Sequence, residues 1–189
     1  LKNFTKQENT RKKLPIKKMI IAVGRLEEQK NFVNLIRGFS KLNAILKGYK
    51  LYILGEGSQR KLLNNLVNDL NLKKIVFMPG YVDPHPYFNS ADLYVSSSNY
   101  EGVSNATIEA MNYGLPIITS KNQVGMNDYL QHNHNSLIVR NSADEIYSSM
   151  LFLLKNKKLS MKLGYNAKQS TKRFNDNLIE KKWKRLILS

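Results

Sequence analysis

Short apolar runs alternate with amphipathic helical stretches along most of this chain of 189 residues, and few folds accept that order. The run "KMIIAVG" reads as a buried strand, and "NFVNLIRGFSKLNAIL" then places Phe32, Leu35, Ile36, Phe39, Leu42 and Leu46 on one helical face. The pattern continues through strand "KLYILG", helix "QRKLLNNLVNDL", strand "KIVFMPG", strand "DLYVSS", helix "NATIEAMNYG", strand "LPIITS" and strand "NSLIV". From residue 141 onward it predicts helix to the end. Strands alternating with helices imply βαβ units, hence an α/β, Rossmann-like three-layer domain with a parallel sheet and helices on both faces. Ligands of such sheets bind outside the carboxyl ends of the strands.

Composition narrows the choices. With no cysteine, disulfides, thiolate metal sites and a cysteine nucleophile are excluded. No run of 18 apolar residues occurs, so a membrane-spanning helix is not expected. The chain opens on Leu1 with no signal-peptide pattern, which reads as a piece of something longer. The net charge of +16 invites a nucleic-acid reading, but its distribution argues against one. Residues 1–18 carry +6 and residues 155–189 carry +9, leaving +1 for everything between. Residues 1–17, polar and aperiodic, read as a basic interdomain linker, and residues 18–189 as the folded domain with a helical tail. In that tail Leu178, Ile179, Trp183, Leu186 and Ile187 would form an apolar stripe opposite Lys181, Lys182 and Arg185, able to meet another domain or an anionic membrane surface. His132 and His134 in "HNHN" read as a polar turn ahead of a strand rather than as metal ligands.

Three stretches can carry chemistry. "GEGSQR" opens a helix after the second strand, but Arg60 stands where a dinucleotide fingerprint has its third glycine. Gly55 and Gly57 are expected there to let backbone approach a ligand. After the first strand comes "GRLEEQKN", in which Arg25 can fork onto phosphate oxygens and Lys30 supplies a mobile point charge. Glu27 and Glu28 lie between the two cations and could pair with them locally instead. The stretch "NYEGVSNATIEA" offers a helix start capped by Ser104 or Asn105, a natural anion site, flanked by Glu101 and Glu109. Carboxylates repel phosphate but accept hydrogen bonds from sugar or ribose hydroxyls. Each feature alone also fits an ordinary charged turn or helix end.

In the order "VGRLEEQKNFVNLIRGF", "LYILGEGSQRKLL", "VFMPGYV", "NSADLYVSSSNYEGVSNATIEAMNYGLPIITS" and "NSLIV", the chain resembles the carboxyl-terminal donor-binding domain of retaining GT-B glycosyltransferases, over about Lys18 to Ser189. The hallmark is E-x-x-x-x-x-x-x-E, here Glu101 to Glu109. The resemblance implies one half of a GT-B fold, with Glu101 as the catalytic-side residue approaching the donor sugar and Glu109 holding the nucleotide ribose. It gives the diphosphate to Gly24, Arg25, Lys30 and the Gly102, Val103, Ser104 and Asn105 backbone, and the base to Tyr81 and Val82. No Asp-x-Asp occurs, in keeping with a metal-independent, cofactor-free reaction. Two departures stand out. "VGMND" has Asp128 where the family has a glutamate, and Asn133 and Ser136 stand for two glycines.

The expectation is therefore a donor domain moving a hexose from a nucleotide-sugar, UDP before GDP, onto a hydroxyl acceptor in glycan or glycolipid synthesis. The resemblance implies as partners an amino-terminal acceptor-binding domain and a lipid-linked acceptor. It also implies a cytoplasmic location, peripheral at the inner membrane. A non-catalytic nucleotide-sugar-binding subunit is the alternative; a basic nucleic-acid-binding domain and an epimerase of similar fold follow it.

Overall fold

The computed structural model describes residues 14–122, 124–126 and 129–174. Six strands form one parallel sheet: β1 (Met19–Val23), β2 (Lys50–Leu54), β3 (Val76–Gly80), β4 (Leu93–Ser96), β5 (Ile117–Ser120) and β6 (Leu137–Val139). Between and after them run α1 (Phe32–Ile45), α2 (Arg60–Asp69), α3 (His85–Phe88), α4 (Asn105–Asn112), α5 (Ala143–Lys155) and α6 (Lys157–Ser170). Their spatial order is β3-β2-β1-β4-β5-β6. The chain thus winds outward from β1 to β3, returns to the far side of β1, and winds outward again. Strand order reverses between β1 and β4, and sheets of this kind carry their ligand crevice there, outside the carboxyl ends of the strands. The Rossmann-like reading of the sequence holds.

The alternation of β1 explains the layers. Ile20 and Ala22 point into a core with Leu35, Ile36 and Phe39 of α1, Leu63 and Val67 of α2, and Met150 and Leu153 of α5. Met19 and Ile21 point the other way, into a second core with Phe88 of α3, Ala110 and Met111 of α4, and Ala167 of α6. A central strand buried on both faces needs the unbroken apolar run that "MIIAV" supplies. Pro79 cannot donate to a ladder, and β3 accommodates it by lying at the sheet edge.

Three features differ from the sequence reading. The helical carboxyl region is two helices, divided at Asn156, whose N–H bonds back to the carbonyls of Phe152 and Leu153 and whose side-chain amide also donates to Phe152. The short α3 is an addition: Asp83 Oδ1 accepts from the His85 N–H at 3.0 Å, and Pro84 and Pro86 start a turn their fixed φ favours. Leu14 and Ile16, from the stretch read as linker, pack on the second core, and the Leu14 N–H donates to Ser90 Oγ at 2.8 Å. The apolar stripe expected around Trp183 lies outside the described residues, as does Asp128. Among the described residues no helix is long and apolar enough to cross a membrane.

Candidate functional site

The loop after β1 is built to hold its shape with Arg25 left over. Leu26 is fully buried, and its N–H donates to the Glu56 carbonyl at 2.8 Å. Glu27 turns away from both cations: it accepts from the N–H of Ser58 at 3.0 Å and from its hydroxyl at 2.7 Å, and these bonds hold its carboxyl below the usual range. Asn31, at φ 48°, takes the left-handed turn into α1, a conformation asparagine tolerates. The Arg25 side chain is exposed and makes no hydrogen bond or ion pair among the described residues; its charge acts only on the Glu27 carboxyl.

Lys30 is not free in the same way. Its stem lies over Gly24, where an added Cβ would stand 2.9 Å from Lys30 Cε, and its ammonium pairs with Glu101 Oε2. The same carboxylate oxygen accepts from Ser98 Oγ at 2.9 Å. Both side chains of the pair are largely buried, at 15% and 14% exposure. Glu101 Oε1 carries no hydrogen bond among the described residues, so one oxygen is held and the other is available.

The loop after β4 is tied to the loop after β1 along its length. Asn99 N–H donates to the Gln29 carbonyl at 2.7 Å, Gln29 Nε2 to the Tyr100 carbonyl at 3.0 Å, and Ser97 Oγ to the Lys30 carbonyl at 2.8 Å. Asn141, past β6, adds a third anchor by donating from Nδ2 to the Ser97 carbonyl at 2.6 Å and to Asn99 Oδ1 at 2.9 Å. At the end of this loop Ser104, rather than Asn105, caps α4: its Oγ accepts from the N–H and the hydroxyl of Thr107. Gly102 faces open space, while Gly125 packs so close behind it that a Cβ there would stand 2.6 Å from the Gly102 carbonyl carbon. Val103 is exposed beside them. The Gly102–Asn105 backbone therefore presents itself to the crevice, at a helix end that favours anions.

Glu109 faces the other wall. Burial raises its pKa above 4.5, the charge of His85 opposes that rise, and Asp83 adds to it, which places the carboxyl beside the segment after β3. It makes no hydrogen bond among the described residues. Tyr81 and Val82 lie on that segment, Tyr81 with 78% of its surface exposed. Arg60 holds the turn ahead of them. It forks onto both Glu56 oxygens and donates to the Met78 carbonyl at 3.0 Å and the Gly55 carbonyl at 3.2 Å.

Most of the sequence-predicted site residues thus converge on the crevice where strand order reverses. One expectation is corrected. Gly55 and Gly57 do not open space for a ligand: a Cβ on Gly55 would stand 2.0 Å from the Gly24 carbonyl oxygen, and one on Gly57 2.5 Å from that of Leu26. They let one backbone loop lie against another. Sequence reasoning also missed Ser98, which holds the Glu101 carboxylate from three residues away, and Asn99 and Asn141, which no motif marks because they bond to backbone groups of distant loops. A groove of about 800 Å³ lies at the opposite, amino-terminal end of the strands, lined in part by Tyr49, Asp92, Lys157 and Lys168. It shares no residue with the crevice.

The family model described as "Glycosyl transferases group 1" matches residues 6–170, most of the chain. The chain belongs to that family. Among curated members, the poly(ribitol-phosphate) alpha-N-acetylglucosaminyltransferase of Staphylococcus aureus (strain COL) is 27% identical over 192 aligned positions, covering 100% of this chain and 39% of its own length. A Campylobacter jejuni enzyme, N-acetylgalactosamine-N,N'-diacetylbacillosaminyl-diphospho-undecaprenol 4-alpha-N-acetylgalactosaminyltransferase, is 29% identical over 83% of this chain and 43% of its own. In three dimensions the domain superposes on a mutant of S. aureus TarM, crystallised with UDP, Fondaparinux and alpha-GlcNAc-glycerol. That match has a TM-score of 0.86 at 27% identity and covers 99% of this chain and 38% of the other. The chain spans less than half the length of these group 1 relatives. Its sheet is the glycosyltransferase Rossmann-like domain.

Proposed function

We propose that this domain binds a nucleotide-sugar, UDP-linked in the first instance, and forms the donor half of a retaining, metal-independent glycosyltransferase that moves a hexose to a hydroxyl. The observation that carries the reading is the convergence, at one crevice, of an uncommitted arginine, a helix start free of acidic side chains in its first turn, and two carboxylates held apart in different surroundings. In this arrangement Arg25, Lys30 and the N–H groups at the start of α4 balance the charge that develops on the departing diphosphate. Glu109 accepts ribose hydroxyls, Tyr81 and Val82 flank the base, and the open oxygen of Glu101 accepts from a hydroxyl of the sugar. A second, acceptor-binding domain would close the crevice and bring the attacking hydroxyl, and much of the rate would come from that positioning. The Campylobacter relative is named for a diphospho-undecaprenol glycan substrate, which favours a lipid-linked acceptor and work at the cytoplasmic membrane face for this protein too.

Isothermal calorimetry against UDP, GDP and ADP tests the reading. UDP binding in the micromolar to low-millimolar range, with no sugar turnover by this domain alone, is the expected result. Failure of all three nucleotides to bind, or turnover at an ordinary rate of about 1–1000 per second, would refute it.

A further inference from the structure

The ion pair inside the crevice has a consequence for how a nucleotide leaves. Lys30 is one of two cations assigned to the diphosphate, yet its ammonium is paired with Glu101 Oε2. The pairing is fixed from both sides. Ser98 Oγ holds the same oxygen at 2.9 Å, the Lys30 stem lies against Gly24, and the Lys30 carbonyl is fastened by Ser97. A diphosphate reaching Lys30 therefore meets a largely buried carboxylate that competes for the same ammonium and repels the phosphate directly. In a site screened from water neither effect is small.

Resting on the reading above, we infer that Glu101 is the resident counter-ion of the diphosphate site and holds down the affinity for the free nucleoside diphosphate. A diphosphate whose terminal phosphate is no longer esterified carries a further ionisation, with a pKa of about 6, that its sugar ester lacks. The carboxylate therefore weighs more heavily on the released product than on the donor. Glu101 thus has two jobs on two oxygens: Oε1 is open toward the sugar, and Oε2 shares Lys30 with the phosphates. Truncating such an acid would trap product.

The test is calorimetry on the full chain with UDP and UMP. Glu101→Gln should bind UDP about five-fold tighter or more, the effect of one charge at contact distance even in watery surroundings. UMP, which lacks the second phosphate, should change less than about two-fold. Glu101→Ala should shift in the same direction, so the conclusion does not hang on how a buried glutamine repacks, and thermal melts confirm that both variants fold. Tightening of UDP but not UMP in either folded variant supports the inference. Unchanged or weaker UDP binding in both overturns it while leaving donor binding intact. No UDP binding by the wild-type chain would instead refute the proposed function itself.

Discussion

Replacing Glu109 by glutamine should weaken nucleotide binding while making the domain no less stable, because the same burial that raises its pKa sets both effects. The carboxyl makes no hydrogen bond among the described residues, so the substitution breaks no contact within the fold. In the bound state the two ribose hydroxyls would donate to it. A hydrogen bond to a charged group contributes ~1.5–3 kcal/mol and a neutral one ~0.5–1.5 kcal/mol, so trading carboxylate for amide should cost ~1–1.5 kcal/mol per hydroxyl, or ~2–3 kcal/mol for the two. That is a loss of about 30- to 150-fold in affinity. Uridine and UDP should lose the same factor, and 2′-deoxy-UDP should lose less, since one of its donors is already gone.

The pH dependence follows from the sign of the shift. A carboxyl whose pKa is raised on folding adds stability below its unfolded pKa and loses it as pH rises through the folded value. The wild-type domain should therefore give up some stability as pH rises above 4.5 that the glutamine variant keeps. UDP affinity of the wild type should rise through the same range as Glu109 ionises, and that of the variant should not. Calorimetry with the three ligands and melts between pH 4 and 8 measure all of this. A larger loss for UDP than for uridine would refute the ribose assignment, and a drop in melting temperature at pH 7 would show that Glu109 supports the fold.

Two further substitutions separate the remaining parts of the ligand. Arg25→Ala should leave the melting temperature nearly unchanged, since the side chain is exposed and unpaired, and weaken UDP by ~1.5–3 kcal/mol with little change for uridine; equal losses for the two ligands, read by calorimetry, would show a role through the fold. Tyr81→Ala should cost ~1–3 kcal/mol for uridine and UDP alike, as expected for loss of a stacking platform, and inorganic pyrophosphate binding should not change; an unaltered uridine affinity would remove Tyr81 from the base site.

The sheet was legible because its central strand is buried on both faces, which demands the continuous apolar run that "MIIAV" displays. Helix α4 was legible for a different reason: a Ser-Asn start must be capped from within its own first turn, so the signal is local. The break at Asn156 was not, because apolar spacing runs on through both helices and only packing divides them. Within the site, residue types at the right loop ends marked Arg25, Lys30, Glu101 and Glu109. What spacing could not supply was pairing. Glu27, which lies in sequence between two cations, bonds to Ser58 across the loops, and Lys30 finds its partner 71 residues away. The glycines of "GEGSQR" mislead for the same reason, since a close approach of backbone to backbone and of backbone to ligand leave the same mark.

A crystal structure of this domain soaked with UDP tests the central claim most directly, because it asks only where the diphosphate lies. The account predicts phosphates between Arg25, Lys30 and the first turn of α4, ribose hydroxyls on Glu109, and the base against Tyr81 and Val82. Density for UDP in the groove at the amino-terminal end of the strands, beside Lys157 and Lys168, with the crevice between the β1 and β4 loops empty, would contradict it.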